Sequence, residues 1–179
     1  MKNLNIVVLF CSLFFIGCNS EPTLQKYYVE KAETKDFIAL DIPSKMLNLN
    51  KQDLTAEELS VLNSFEKLNI LAFRVTNKNV KEFEKENIKL KEILKDEKYN
   101  SLIKIGNNKN GANIFVVGDK DKANEFVIYG NQEESGFAVV RVLGKDMDPS
   151  QLLTIISILQ KLDINTEQLK PLEDLFKLY

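Results

Sequence analysis

"SLIKIGNNKNGANIFVVGDKDKANEFVIYGNQEESGFAVVRVLG", residues 101–144, decides the fold. Within it, "SLIKIG", "ANIFVVGD", "EFVIYG" and "FAVVRVLG" are short runs dominated by β-branched and aromatic residues. The breaks between them are Asn, Gly, Asp and Lys. Asn110-Gly111 is a strong hairpin signal, because both residues tolerate the positive φ that a tight turn needs. Strands joined by such short breaks run antiparallel, so the segment predicts a meander.

Outward from the meander the period changes to that of helices. Upstream, Asn79 and Glu82 open a segment over Val80 to about Lys98. Val80, Phe83, Leu90, Ile93 and Leu94 fall on its inner face, and Lys and Glu fill the rest. Before it lies "NILAFRVT", Asn69–Thr76, a further strand. Before that, "LTAEELSVLNSFEKL" carries a helix start: Thr55 caps, Glu58 completes a capping box, and Leu54 staples to Leu59. Leu59, Leu62, Phe65 and Leu68 recur at helical spacing. "DFIALDI", Asp36–Ile42, has strand propensity, and Thr23–Glu33 predicts a short helix with Leu24, Tyr27 and Tyr28 on one side. Downstream, Asp148 and Pro149 start a helix through "SQLLTIISILQ". No interior linker, repeat or low-complexity tract interrupts the pattern. It predicts one α+β domain, a mixed sheet ending in an antiparallel meander with helices packed on one face.

The N-terminus gives an address. Lys2 precedes an apolar run, "IVVLFCSLFFI", that is too short for the roughly 20 residues of a membrane span. Gly17 and Cys18 follow at its end, and Phe15-Ile16-Gly17-Cys18 resembles a bacterial lipobox, with Phe15 where Leu is usual. The expected layout is a signal peptide over 1–17, a lipid anchor on Cys18 with a short tether to residue 22, the domain over 23–164, and an amphipathic C-terminal helix over 165–179. Several acyl chains, each burying about 0.8 kcal/mol per methylene, would hold the protein at a membrane. The expected location is the cell envelope, most simply the outer membrane, on its periplasmic or surface side. Removal of residues 1–17 takes Cys11 with it, so no disulfide is expected.

Composition excludes several classes of function. Net charge is −2 and the lysines are interspersed with glutamates, which leaves no one-sided field for nucleic acid. The chain has no histidine, which removes Ser-His-Asp and Cys-His catalysis and the common zinc sites. The glycines are single, so no phosphate-cradling loop is written. Ser-x-x-Lys occurs at Ser64/Lys67 and Ser101/Lys104 without the partner motifs that give it meaning. In "GDKDKAN", Asp119 and Asp121 suggest a calcium loop, but Ala123 and Asn124 stand where a ligand and a glycine are required. No cofactor and no metal is expected.

One cluster carries a functional signal. The chain has two arginines, Arg74 and Arg141, and both sit inside apolar strands. Alternation puts Arg74 with Ile70, Ala72 and Thr76, and Arg141 with Phe137, Val139 and Leu143. Lys104 and Asp41 are placed similarly in their own strands. The expectation is a sheet face gathering Asp41, Arg74, Lys104 and Arg141, with Phe115 or Tyr129 nearby, able to bind an anion or a partner. A solvated face of salt-bridged charges is the plainer account.

A lipobox-like start, a short helix, "IALDIPSKMLNL", a leucine-rich helix leading to "LAFRV", and a closing "VRVLGKDMDPSQL" together resemble domain-of-unknown-function family 4252, exported lipoproteins found mainly in Bacteroidetes. The resemblance implies export, lipidation and a compact α+β domain, and it supplies no catalytic residue. The function expected first is that of a non-catalytic, membrane-tethered interaction module with an envelope protein as partner. A carrier or sensor for a small apolar or anionic ligand is the alternative. An enzyme working through paired carboxylates ranks last, since no spacing in the sequence demonstrates such a pair.

Overall fold

In the computed structural model, residues 22–47, 49, 51–119 and 121–161 are described. The expected signal peptide, Cys18 with its anchor, and the C-terminal helix over 165–179 lie outside them. The described elements, in chain order, are α1 (Leu24–Lys31), β1 (Phe37–Pro43), α2 (Ala56–Asn63), β2 (Phe65–Arg74), α3 (Val80–Ile93), β3 (Asn100–Gly106), β4 (Asn110–Asp119), β5 (Lys122–Gln132), β6 (Gly136–Met147) and α4 (Leu152–Gln160). Single 3-10 turns lie at Ser44–Met46, Lys51–Asp53 and Pro149–Gln151.

The six strands form one sheet in the order β1-β2-β6-β5-β4-β3. The α+β domain and the β3-to-β6 meander are as the sequence predicts, and two details differ. Every pairing among the described strands is antiparallel, so the sheet is not mixed. The helices also cover both faces, not one. The reason lies in β2, β5 and β6, which carry apolar residues in both alternating sets. Leu68, Ile70 and Ala72 point to one side, while Leu71 and Phe73 point to the other. A sheet apolar on both faces needs a layer on each.

The two interiors have different chemistry. On one side α2 and α4 close an aliphatic core around Val61, Leu68, Ile70, Val142, Ile155 and Ile158. On the other, α1 and α3 close an aromatic core. There Phe37 meets Phe73 edge-on at 5.0 Å, and Phe73 stacks on Phe137 at 5.6 Å. Such pairs contribute about 0.5–1.5 kcal/mol each beyond the area they bury.

The capping box forms as read. The Glu58 amide donates to Thr55 Oγ1 (3.1 Å) and the Thr55 amide donates to Glu58 Oε2 (2.8 Å). The helix it opens ends at Asn63, however, and Phe65 and Leu68 belong to β2. Helical spacing loses there because β2 is laddered on both sides, Phe73 against Phe37 of β1 and Leu71 against Val139 of β6. Asn79 does not cap α3. Its side chain ties the preceding turn instead, accepting from the Thr76 amide (2.7 Å) and donating to the Arg74 carbonyl (3.0 Å).

Candidate functional site

The expected four-residue cluster does not assemble. Asp41, Lys104 and Arg141 lie on the α1/α3 face, whereas Arg74 shares the opposite face with Ile70 and Ala72 and is exposed at the end of β2. Arg74 is thereby corrected out of any site with the other three. Alternation read within one strand cannot say which faces of neighbouring strands coincide until the register is known. The register aligns Asp41 with Asn69 and Asn69 with Arg141, so Asp41 and Arg141 stand two strand spacings apart, about 10 Å. Asp41 pairs with Lys67 at 3.2 Å on the surface.

Arg141 is buried and fully engaged. Its Nε and Nη2 donate to the two Glu125 carboxylate oxygens at 2.5 and 3.0 Å, and Nη1 donates to Gln25 of α1 and to Asn69 Oδ1 (3.5 Å). Only 5 % of the residue is exposed. A guanidinium with its fork so occupied is a clamp between β6, β5, β2 and α1, with no donor pair left for a ligand. The apolar neighbours Phe137 and Val139 are thus reconciled with its charge: α1 covers them and Gln25 reaches the arginine.

The Ser-x-x-Lys pairs are not arranged as nucleophile and base. Ser64 Oγ donates to the Val61 carbonyl, and Ser101 Oγ donates to Asn113 Oδ1. Among the described residues no group of three or more Cys, Asp or Glu is placed to hold a metal.

Lys104 leads to a site of a different make. It stands in a groove of about 270 Å³ between the end of α3 and the β3–β4 hairpin. Lys91, Leu94 and Lys95 form the helix wall, Lys104 and Ile105 the strand wall, and Phe115 with Tyr129 the floor. Asparagines 107, 108, 113 and 131, with Gly111 and Ala112, complete the lining, and no carboxylate lines it.

The hairpin that makes the outer wall is built locally. Asn107 Oδ1 accepts from the amides of Lys109 and Asn110 (2.8 and 2.9 Å), and Gly106 takes φ +77, which an L side chain rarely adopts. Two contacts then fasten it to the body. Lys91 Nζ donates to the Asn108 carbonyl (2.8 Å), and Asn131 Nδ2 donates to the carbonyls of Asn108 and Lys109 (3.2 and 2.6 Å). The floor is held as well, since the Tyr129 hydroxyl donates to Asn87 of α3 and burial pushes that phenol well above its ordinary range.

The electrostatics are one-sided. Burial, and then the neighbouring Lys104 ammonium, pull the Lys91 pKa down. Lys95 has a carboxylate partner outside the groove, Glu92 at 2.6 Å, while Lys104 has no ion-pair partner among the described residues. Elsewhere on the same face the charges are matched. Glu86 of α3, 1 % exposed, accepts from Tyr27 (2.9 Å) and Lys31 (2.7 Å) of α1. Burial opposes the Glu86 charge, yet Lys31 and the Tyr27 hydroxyl hold its carboxyl below the usual range.

A family model for a domain of unknown function, DUF4252, matches residues 27–155. The chain belongs to that family. No curated protein and no solved structure matches it. The match takes in α3, β3, β4 and β5, so the groove is a feature of the DUF4252 domain itself and not of a flanking segment. No helix among the described residues is long and apolar enough to cross a membrane.

Sequence reasoning places Lys104, Phe115 and Tyr129 near a site but names no functional residue on α3 or at its end, Lys91 and Lys95 included. A signal was present. Lysines four apart on a helix repel one another, and this pair precedes an Asn-rich turn that the meander must fold back to the helix.

Proposed function

We propose that this DUF4252 protein is a membrane-tethered lipoprotein of the cell envelope that acts by binding, without chemistry of its own, and that it meets its partner at the lysine groove. The observation that carries the reading is the contrast between matched and unmatched charge. Arg141, Glu86 and Glu58 are consumed by charged internal partners, while Lys91, held only by the Asn108 carbonyl, and Lys104 line an open groove with no acid in its lining. A paired-carboxylate enzyme draws no support from a groove of that composition.

The position of the groove fits a tether. The Leu24 amide donates to the Tyr99 hydroxyl (3.3 Å), so the chain enters the domain beside the start of β3, whereas the groove opens at the far end of that strand. An anchor on Cys18 reaches Leu24 across at most roughly 20 Å of extended chain. The point where the chain enters and the groove thus lie at opposite ends of β3, an arrangement that supports a groove left clear of the anchor.

The test is in-cell crosslinking in the producing organism with the anchor intact, using a photoreactive residue at position 105, where the exposed Ile105 lines the groove. The expected outcome is one dominant adduct with an envelope component, abolished by Lys104→Glu, a charge reversal at an exposed residue that leaves the Lys91–Asn108 contact in place. A crosslinking pattern indifferent to that charge reversal would overturn the groove as the contact site. A second reading, a carrier of a small anionic ligand, is favoured by the aromatic floor between helix and sheet.

A further inference from the structure

We infer that the groove takes a small, soluble carboxylate borne on an apolar body, with the anion between Lys91 and Lys104 and the apolar part over Leu94, Phe115 and Tyr129. The inference rests on the second reading above, the groove as the site of a small anionic ligand, and it names the ligand class.

Three observations narrow the class. The first is charge. Lys91 on the helix wall and Lys104 on the strand wall line the groove with no acid between them, although the chain as a whole is net negative, and the Lys104 charge is near enough to oppose that of Lys91. An anion between them removes a repulsion that the empty protein carries. A lysine on an edge strand also discourages sheet-to-sheet pairing, and that role accounts for Lys104 but not for Lys91, which lies on a helix.

The second is the number of charges the groove suits. Phosphate sites draw on free backbone amides or a helix N-terminus. Here the amides of Lys109 and Asn110 are spent on Asn107, and the helix end facing the groove is the C-terminal end of α3, whose partial negative charge offsets part of the lysine field. A single negative charge fits that balance better than two.

The third is size and surface. The groove, about 270 Å³, falls just below the roughly 300–1,000 Å³ of sites for drug-sized ligands. Its floor offers rings and a leucine side chain to whatever carries the carboxylate.

The experiment uses the full exported chain with Cys18→Ser, which blocks lipidation and leaves every described residue unchanged. Amide chemical shifts are followed while 3-phenylpropionate, its neutral amide, inorganic phosphate and a pentapeptide ending in phenylalanine are titrated separately. Expected are saturable shifts with 3-phenylpropionate confined to Leu94, Asn108, Ala112 and their neighbours, with affinity at least about tenfold above those of the amide and phosphate. Lys104→Gln is expected to weaken binding about tenfold at unchanged melting temperature. Because Lys104 is exposed, that variant tests the site without disturbing the core. No saturation, equal binding of the neutral amide, or indifference to Lys104→Gln overturns the inference. Phosphate saturating the groove in preference overturns the ligand class while the groove stands as a contact site. Tighter binding of the peptide by about tenfold overturns the assignment to a small molecule in favour of a protein terminus.

Discussion

Arg141 and Gly136 are the residues whose neighbours leave least room for change. Breaking a buried ion pair strands a charge, so Glu125→Ala is expected to cost about 3–5 kcal/mol in urea denaturation. Replacing both partners with apolar residues of similar size, Arg141→Met with Glu125→Leu, is expected to recover most of that loss, since neither charge then remains to be desolvated. Gly136 has φ +130, and a Cβ there would lie 1.8 Å from the Phe73 carbonyl oxygen. That oxygen belongs to the neighbouring strand and cannot give way. Gly136→Ala is therefore expected to destabilise by about 3 kcal/mol or more, seen as a fall in the urea midpoint. The role of Gly136 was not legible beforehand, and that of Arg141 only in that Phe137, Val139 and Leu143 share its side. A buried arginine and an exposed one look alike within an apolar strand, and only the register separates Arg141 from Arg74.

Between elements, the clamp of α2 on α4 makes a pH-dependent contribution. Glu58 accepts from Lys161 Nζ at 2.7 and 2.8 Å, from the Thr55 amide, and from Ser157 Oγ at 2.8 Å. Lys161 first, then Thr55 and Ser157, lower its pKa to about 2 from an ordinary 4.5. A carboxyl depressed in the folded state stabilises it above the unfolded value and loses that contribution as pH falls. The stability advantage of the native chain over Glu58→Gln is expected to be full above about pH 4.5 and to vanish towards pH 2, read from melting temperatures across that range. The capping half of this arrangement was legible because it spans three residues. The other half was not, since Ser157 lies 99 residues on and is brought in only by the packing of two helices. The same limit explains the site: the Asn- and Gly-rich break announced the hairpin, although Asn110 and Gly111 lie in β4 and the positive φ falls at Gly106, while the seat of that hairpin against Lys91 depends on how α3 crosses the sheet.

For the molecule as a whole, periodicity gave the class of fold and most strands, because alternation and turn residues are local. The two-faced cover was missed for a physical reason. One strand apolar on both sides reads the same whether its second face meets helices or another sheet, and the distribution of helices over faces is a property of the whole chain. At this scale the tether is also testable. Intact-mass analysis of protein from its producing cells is expected to find a chain beginning at Cys18 and carrying diacylglycerol, and an unmodified chain of full length would exclude the anchor. Lys104→Gln is expected to leave thermal stability unchanged within about 0.5 kcal/mol, since the exposed residue removes no internal contact.

The central seam of the sheet joins β2 to β6, strands separated along the chain by α3 and the first three strands of the meander. A polypeptide emerging from its N-terminus can therefore make isolated hairpins and helices, but it cannot seal either core until β6 has been synthesised. Assembly is governed by loop closure over long separations and belongs with the slower topologies, in the millisecond-to-second range. A chain cut short before residue 136 is left without its middle strand, and under the proposed export route late folding would keep the precursor threadable for longer.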